Sequence, residues 1–235
     1  MIQERHSRTA LLLGKNAPQI LKNSHVAVLG LGGVGSYLVE ALARAGVGTL
    51  TLIDCDEYTE SNLNRQLYAL PATLGQKKTA VAAARVREID PTITVYTADA
   101  FVLPETVPTL PLSGVDYIAD AIDTVSAKIA LAVYAKETGI RMISAMGAGN
   151  KTDPTAFRVA KIKSTRVCPL ARVIRTELAR RGIHDLKVVY SEEAPQKPTA
   201  IDGKSGKPIP GSCSFVPSVV GLIMAGEIIR DLLKE

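Results

Sequence analysis

His25-Val26-Ala27-Val28-Leu29-Gly30-Leu31-Gly32-Gly33-Val34-Gly35 is the stretch on which the fold turns. Five residues of a buried-type strand run into a G-x-G-x-x-G pattern at Gly30, Gly32 and Gly35, with Gly33 inside it. Val34, Tyr37, Leu38, Ala41, Leu42 and Ala45 then recur at helical spacing until Gly46 stops the pattern. In a strand–turn–helix of this kind the first glycine permits the tight turn and the second lets the backbone approach phosphate oxygens. The third packs helix on strand, and the helix N-terminus attracts the anion. Asp54 closes a second predicted strand, Thr49 to Ile53, about 20 residues on, where a carboxylate takes ribose hydroxyls. These features predict a nucleotide site and leave NAD and ATP both open.

Working outward, loose helical spacing predicts an N-terminal helix over Thr9 to Leu21 and another over Thr73 to Ile89, ended by Pro91. Strands are predicted over Thr92–Thr97, within Val115–Ile122 and over Arg141–Ala145, with a helix from Val125 to Glu137 between the last two. Strands alternating with helices predict an α/β chain, a Rossmann-like doubly wound, mostly parallel sheet with right-handed crossovers. After Gly149 the rhythm changes to an α+β extension. It holds a half-exposed strand from Phe157 to Ile162, a helix from Pro169 to Arg181, a strand from Lys187 to Tyr190 and a helix opening at Pro217. A proline- and glycine-rich loop, Ser191 to Cys213, precedes that last helix. The expected organisation is one domain: an N-terminal helical segment (1–24), a nucleotide-binding core (25–149), and a basic crossover region with the final helix (150–235).

The 235 residues are 46% hydrophobic and 22% charged, which excludes a disordered, collagen-like or coiled-coil chain. With 4% aromatics and no Trp, base stacking on aromatic platforms is not the expected main activity. The net charge of +5 is unevenly placed. Between Arg158 and Lys187 nine basic residues face two acidic ones, a local +7 that leaves the remainder at −2. On the helix from Pro169, Arg172, Arg175 and Arg180 lie opposite Leu170, Ile174 and Leu178, a candidate surface for a nucleic-acid backbone. Three cysteines, Cys55, Cys168 and Cys213, form neither a CxxC zinc ribbon nor a disulfide framework, so a reducing cytoplasm is expected. The charged start lacks a signal-peptide pattern. The longest apolar run, Val216 to Gly226, falls short of the ~20 residues that span a bilayer, so no membrane association is expected.

Ser61-Asn62-Leu63-Asn64-Arg65-Gln66 follows Asp54-Cys55-Asp56 and sets amides and a guanidinium where phosphates would lie. A hydride-transfer site has no need of such a cluster. Gly75-Gln76-Lys77-Lys78 puts a lysine at a helix start, and Asp120-Ala121-Ile122-Asp123 puts carboxylates at a strand end, where a divalent cation and a developing phosphate charge are held. His6 and His184 in polar segments, and His25 at a strand start, are expected to be surface or capping groups. Cys55 between two aspartates is expected to have a raised pKa, and Cys168 has no neighbouring His to activate it.

GLGGVG, DCDEYTESNLNRQ, LGQKK and DAID resemble, in order and spacing, the adenylating domain of the ubiquitin-activating, ThiF and MoeB superfamily. That resemblance implies ATP and Mg²⁺, attack of a substrate carboxylate on the α-phosphate, and an acyl-adenylate. It implies Asp54 for the ribose with Asp56 in the ATP set, and Asn62, Arg65, Gln66 and Lys78 for the phosphates. Asp123 would take Mg²⁺, and Arg65, Lys78, Asp123 and Arg8 would be the catalytic groups. Arg-His-Ser-Arg at the start resembles the segment that lends an arginine, Arg8 or less surely Arg5, to a partner's site, which implies a homodimer. Downstream, CPLARVIRTELARRGI, LKVVYSEE and GSCSFVPSVVGLIMAGEII resemble the superfamily branch that acts on N6-threonylcarbamoyladenosine at position 37 of tRNA. This implies cyclisation by adenylation of the threonyl carboxylate, and a cysteine desulfurase system as partner. Activation of a ubiquitin-like sulfur carrier is the alternative, disfavoured by the missing CxxC pairs. A non-catalytic nucleotide- or tRNA-binding module is disfavoured by the full set of phosphate-facing groups.

Overall fold

A computed structural model of the protein describes residues 3–201, 203, 206 and 208–234. Seven strands form one sheet in the order β3-β2-β1-β4-β5-β7-β6. These are β1 His25–Leu29, β2 Thr49–Ile53, β3 Thr94–Ala98, β4 Tyr117–Asp120, β5 Arg141–Ala145, β6 Phe157–Lys161 and β7 Lys187–Ser191. All neighbours run parallel except β6, which closes the edge antiparallel to β7. The mostly parallel, doubly wound sheet expected from the alternation is therefore present, and the C-terminal extension continues the same sheet.

Helices cover both faces, as a parallel sheet buried on both sides requires. α3 Gly35–Ala45, α4 Lys78–Ile89 and α7 Pro217–Leu232 pack over one face, with Leu38, Leu42, Val86, Val220 and Met224 in its core. α5 Val125–Thr138 and α6 Pro169–Ala179 cover the other, with Leu131, Ile174 and Leu178. From β1 the chain winds through β2 to β3, then returns to place β4 on the other side of β1. The crevice between the carboxyl ends of β1 and β4 is the switch point at which such sheets bind ligands.

Two expected helices differ from what forms. The N-terminal pattern is split into α1 Ser7–Leu13 and α2 Ala17–Asn23, because Gly14 turns to φ +102° and Pro18 starts the second helix. The helix expected from Thr73 begins only at Lys78, since Pro71–Thr73 is a 3₁₀ turn and Gly75 has φ +78°. His6 is likewise no surface group: its side chain is 12% exposed beside Asp90. Beyond Ser191, the last residue of β7, the described residues up to Cys213 form only an isolated bridge between Ile201 and Pro208, and the loop is tied down at its ends. Asn150 donates its N–H to Gly211 O (2.8 Å), accepts from Gly211 N–H (2.6 Å) and receives Gln196 N–H (2.7 Å). Asn64 Nδ2 donates to Ser212 O at 3.1 Å.

Candidate active site

A cleft of about 830 Å³ opens at the switch point. Its back wall is the β1–α3 turn. Gly30 has φ +88°, and a Cβ there would sit 2.8 Å from Ala121 O. Gly35 approaches still closer, since its Cβ would lie 1.8 Å from Gly30 O. Side chains at these two positions would push the helix off the strand, leaving no room for the N-terminus of α3 to meet a phosphate. Gly32 faces open space, with only the Gln66 amide nearby, and Gly33 packs on Pro217 at the start of α7.

Asp54 stands at the end of β2 and ties the glycine turn to the neighbouring strand. Its Oδ2 accepts from Leu31 N–H at 2.6 Å and its Oδ1 from Asp56 N–H at 2.8 Å. Lys78, the first residue of α4, is almost completely buried and reaches Asp56 Oδ2 at 2.9 Å. Burial would raise the Asp56 pKa, but the Lys78 hydrogen bond and charge outweigh it and hold that carboxyl below its usual range. Neighbouring Lys77 pairs instead with Glu57 at 3.1 Å. Cys55 lines the cleft as an inert thiol, pushed up to about 11 by burial and by Asp56 and Asp54, the direction expected from its neighbours.

The segment from Thr59 to Gln66 forms a second wall of the cleft. Asn62 is buried and locks the turn by accepting Thr59 N–H at 3.2 Å. Arg65 is fixed by Ser61 O (2.7 Å) and Asn64 Oδ1 (2.9 Å). Gln66 lines the cleft with Oε1 buried and without a hydrogen-bond partner. An orphaned buried amide costs about 1–3 kcal/mol unless a ligand or water completes it. Opposite, Asp123 follows β4, exposed, with only the Thr124 hydroxyl at 3.4 Å on its Oδ1 and no ion pair among the described residues.

Nearly all the residues predicted for the nucleotide therefore meet in this one cleft: Gly30, Gly32, Gly33, Asp54, Asp56, Asn62, Arg65, Gln66, Lys78 and Asp123. Gly35 lies just behind them as the packing glycine. Arg8 does not line the cleft; it is exposed on α1. Thr59, Phe101 and Pro217 line it without having been singled out. Phe101, 66% exposed just beyond β3, is one of only three phenylalanines, and its place after a predicted strand was the available signal.

The ThiF family pattern matches residues 5–235. The chain belongs to the ThiF family. It is 44% identical, over 97% of its own length and 94% of the relative's, to a tRNA threonylcarbamoyladenosine dehydratase of Bacillus subtilis (strain 168). The solved structure of the E. coli tRNA N6-threonylcarbamoyladenosine dehydratase in complex with ATP superposes with a TM-score of 0.90 at 33% identity, covering 99% of this chain and 97% of that one. A molybdopterin-synthase adenylyltransferase of Salmonella typhimurium is 36% identical, but over only 53% of this chain.

Outside the cleft, this ThiF-family chain divides its predicted basic surface. Arg175 is half-buried and donates to Thr165 O (2.5 Å) and Oγ1 (2.8 Å), so it fastens α6 to the preceding turn. Arg180 pairs with Glu177 at 2.7 Å, and Arg181 pairs with the same carboxylate. Arg166 and Arg158 share Glu192, and Lys187 pairs with Glu227 and Asp231. Among the described residues this leaves Arg172, Lys161 and Lys163 exposed and without an ion-pair partner. Cys168 is buried at the start of α6, while Cys213 is half-buried at the end of the tied loop.

Proposed function

We propose that this chain is an ATP-dependent tRNA threonylcarbamoyladenosine dehydratase, which converts the N6-threonylcarbamoyl group of its tRNA to the cyclic form. The observation that carries this reading is where similarity extends. The match to the Bacillus subtilis dehydratase spans 97% of the chain, and so includes β6, α6 and the tied loop, whereas the match to the molybdopterin-synthase adenylyltransferase covers 53%. The threonyl carboxylate oxygen attacks the α-phosphate, a new P–O bond forms, and the bond to the β-phosphate breaks with release of pyrophosphate. The substrate's carbamoyl group then attacks the acyl carbon, AMP leaves and one proton is lost. No protein nucleophile is used, in keeping with the buried Cys168 and the raised Cys55.

In this scheme Asp54 takes the ribose hydroxyls, with Asp56 beside it holding Lys78. The α3 N-terminus, Asn62, Arg65, Gln66 and Lys78 surround the phosphates. Asp123 fits a hard divalent cation, being an oxygen donor free of any cationic side chain. Mg²⁺ held there would neutralise charge on the departing phosphates. Arg8 acts in a second copy's cleft. Its helix exposes Leu11 (82%) and Leu12 (84%), an apolar pair whose burial in a homodimer removes it from water. The described residues include no helix long and apolar enough to cross a membrane, and we place the enzyme with its tRNA in the cytoplasm.

Pyrophosphate release with ATP and Mg²⁺ decides among activities. Release that depends on threonylcarbamoylated tRNA supports the proposal; release that depends on a ubiquitin-like carrier protein replaces it with carrier activation. Release with neither leaves a binding module. For the tRNA surface, Arg172, Lys161 and Lys163 are the contacts expected to touch phosphates. Replacing all three with Ala should lower tRNA affinity and reduce the slope of log K against log salt by about 2–3, while ATP affinity persists. An unchanged slope in filter-binding titrations would place the tRNA on another face.

A further inference from the structure

Directly beneath the floor of the cleft lies an ion pair that the proposed chemistry does not use. Lys128, at the end of the first turn of α5, and Asp120, the last residue of β4, are 1% and 0% exposed at the side chain and 2.9 Å apart. Lys128 Nζ also donates to Ala145 O at 2.8 Å and lies 3.4 Å from Ser144 Oγ. The Ser144 hydroxyl donates to Asp120 Oδ2 at 2.6 Å, as the direct Asp120–Ser144 register of β4 and β5 allows. The second carboxylate oxygen, Oδ1, accepts Ile122 N–H at 3.0 Å. Every strong donor and acceptor of the group is thus committed, and one of those bonds leaves the core for the backbone of the cleft.

Stability alone does not account for such a pair. Desolvating two charges costs about as much as their attraction returns, and apolar replacements of similar volume are often as stable or more so. A buried, fully satisfied polar network instead fixes geometry. Ala121, Ile122, Asp123 and Thr124, the four residues after Asp120, all line the cleft, and Ala121 O is the atom against which Gly30 closes. The Thr124 carbonyl accepts Lys128 N–H at 3.1 Å, so Lys128 grips the far end of the same turn through its backbone.

We propose that Lys128 is a positioning residue which, through Asp120 and Ser144, holds the Ala121–Thr124 turn and thereby sets where the Asp123 carboxylate stands relative to the α-phosphate. This rests on the dehydratase reading above. Its function is orientation of a cation-holding carboxylate during turnover, and not capture of ATP, which the glycine turn and Asp54 accomplish on the other wall.

The test is a paired replacement, Asp120→Leu with Lys128→Met, which removes both charges together with the acceptor of Ile122 N–H and so keeps the core neutral. The expected protein is folded, with a melting temperature near that of the parent, and binds ATP within threefold of it. Its kcat for tRNA cyclisation falls about 100-fold at unchanged tRNA KM, the size of effect that follows a misplacement of about 1 Å. Ser144→Ala should fall about tenfold and Ser144→Thr, which keeps the hydroxyl, should stay within threefold. Hydrogen exchange at the Ile122 amide, slow in the parent, should accelerate in the paired variant and in Ser144→Ala. A folded paired variant with parental kcat, or with unchanged Ile122 exchange, overturns the assignment and leaves the group a matter of packing. If the parent itself shows no tRNA-dependent turnover, the dehydratase reading fails, and the Ile122 exchange alone still decides whether Lys128 holds the turn.

Discussion

A Lys78→Ala protein is expected to fold normally, bind ATP weakly and cyclise tRNA about 10²–10³-fold more slowly than the parent, the usual loss when one preorganised charge-stabilising group is removed. Lys78 is the first residue of α4 and its side chain is 6% exposed. The ammonium is already desolvated and aimed into the cleft before any ligand arrives, so little reorganisation is needed as charge builds on the α-phosphate. The partner it leaves behind, Asp56, is 58% exposed and readily rehydrated, which is why the fold should survive. Circular dichroism and single-turnover cyclisation measure the two halves of this expectation. The same protein serves a second purpose when mixed with an equally inactive Arg8→Ala protein. If Arg8 works in the partner's cleft, subunit exchange pairs an intact Lys78 with an intact Arg8 in one site of each mixed dimer, and on the order of a quarter of parental activity returns. No recovery after verified exchange would show that Arg8 does not act across a dimer.

Gly35→Ala is expected to be the most damaging single methyl group in the site. The new Cβ would sit 1.8 Å from Gly30 O, a backbone atom in the turn that must itself keep φ +88°. Neither partner is the loose end of a side chain, so α3 must lift from β1 or the turn must open. Overpacking of this kind costs about 1–3 kcal/mol or more, which for a chain of this size lowers Tm by roughly 2–12 °C. The ATP-induced rise in Tm should disappear as well, because the helix N-terminus no longer faces the phosphates. Gly32→Ala is the control. A Cβ there meets only the Gln66 amide at 3.7 Å, so it should leave Tm unchanged. Thermal melts with and without ATP separate the two; equal behaviour of both variants would count against the close-approach argument.

The parts of the fold that could be read in the sequence are those determined by short-range pattern. β1, β2 and β5 have the predicted boundaries, and each is an interior strand buried over its last four residues. β3 shifted from Thr92–Thr97 to Thr94–Ala98 because it is largely exposed, so its pattern carries little information. The false start of α4 at Thr73 came from apolar spacing that ran on through Gly75, where backbone conformation and not hydrophobicity ends the pattern. In the site, Gly30, Asp54, Asn62, Gln66 and Lys78 were legible because the motif is local along the chain. Pro217 was not, since it reaches Gly33 only through the packing of α7 on α3. Lys128 was invisible for a related reason: a lone lysine in a helix reads as solvated until β4 and β5 are placed beneath it. The basic surface shows the same limit. Composition located it, but only the fold shows that Arg175 is spent on Thr165 while Lys161 and Lys163 stand free.

The cover that α7 lays over α3 also bears on how the chain is made. Gly221 lets the two helices touch, since a Cβ there would stand 2.3 Å from Val34 O, inside the nucleotide turn itself. A ribosome adding 5–20 residues per second needs about 10–35 s to travel from Gly35 to Pro217. Throughout that interval the apolar face of α3, with Leu38 and Leu42, has been synthesised but its cover has not. Nascent chains stalled before Pro217 are therefore the species from which chaperone capture and aggregation would draw.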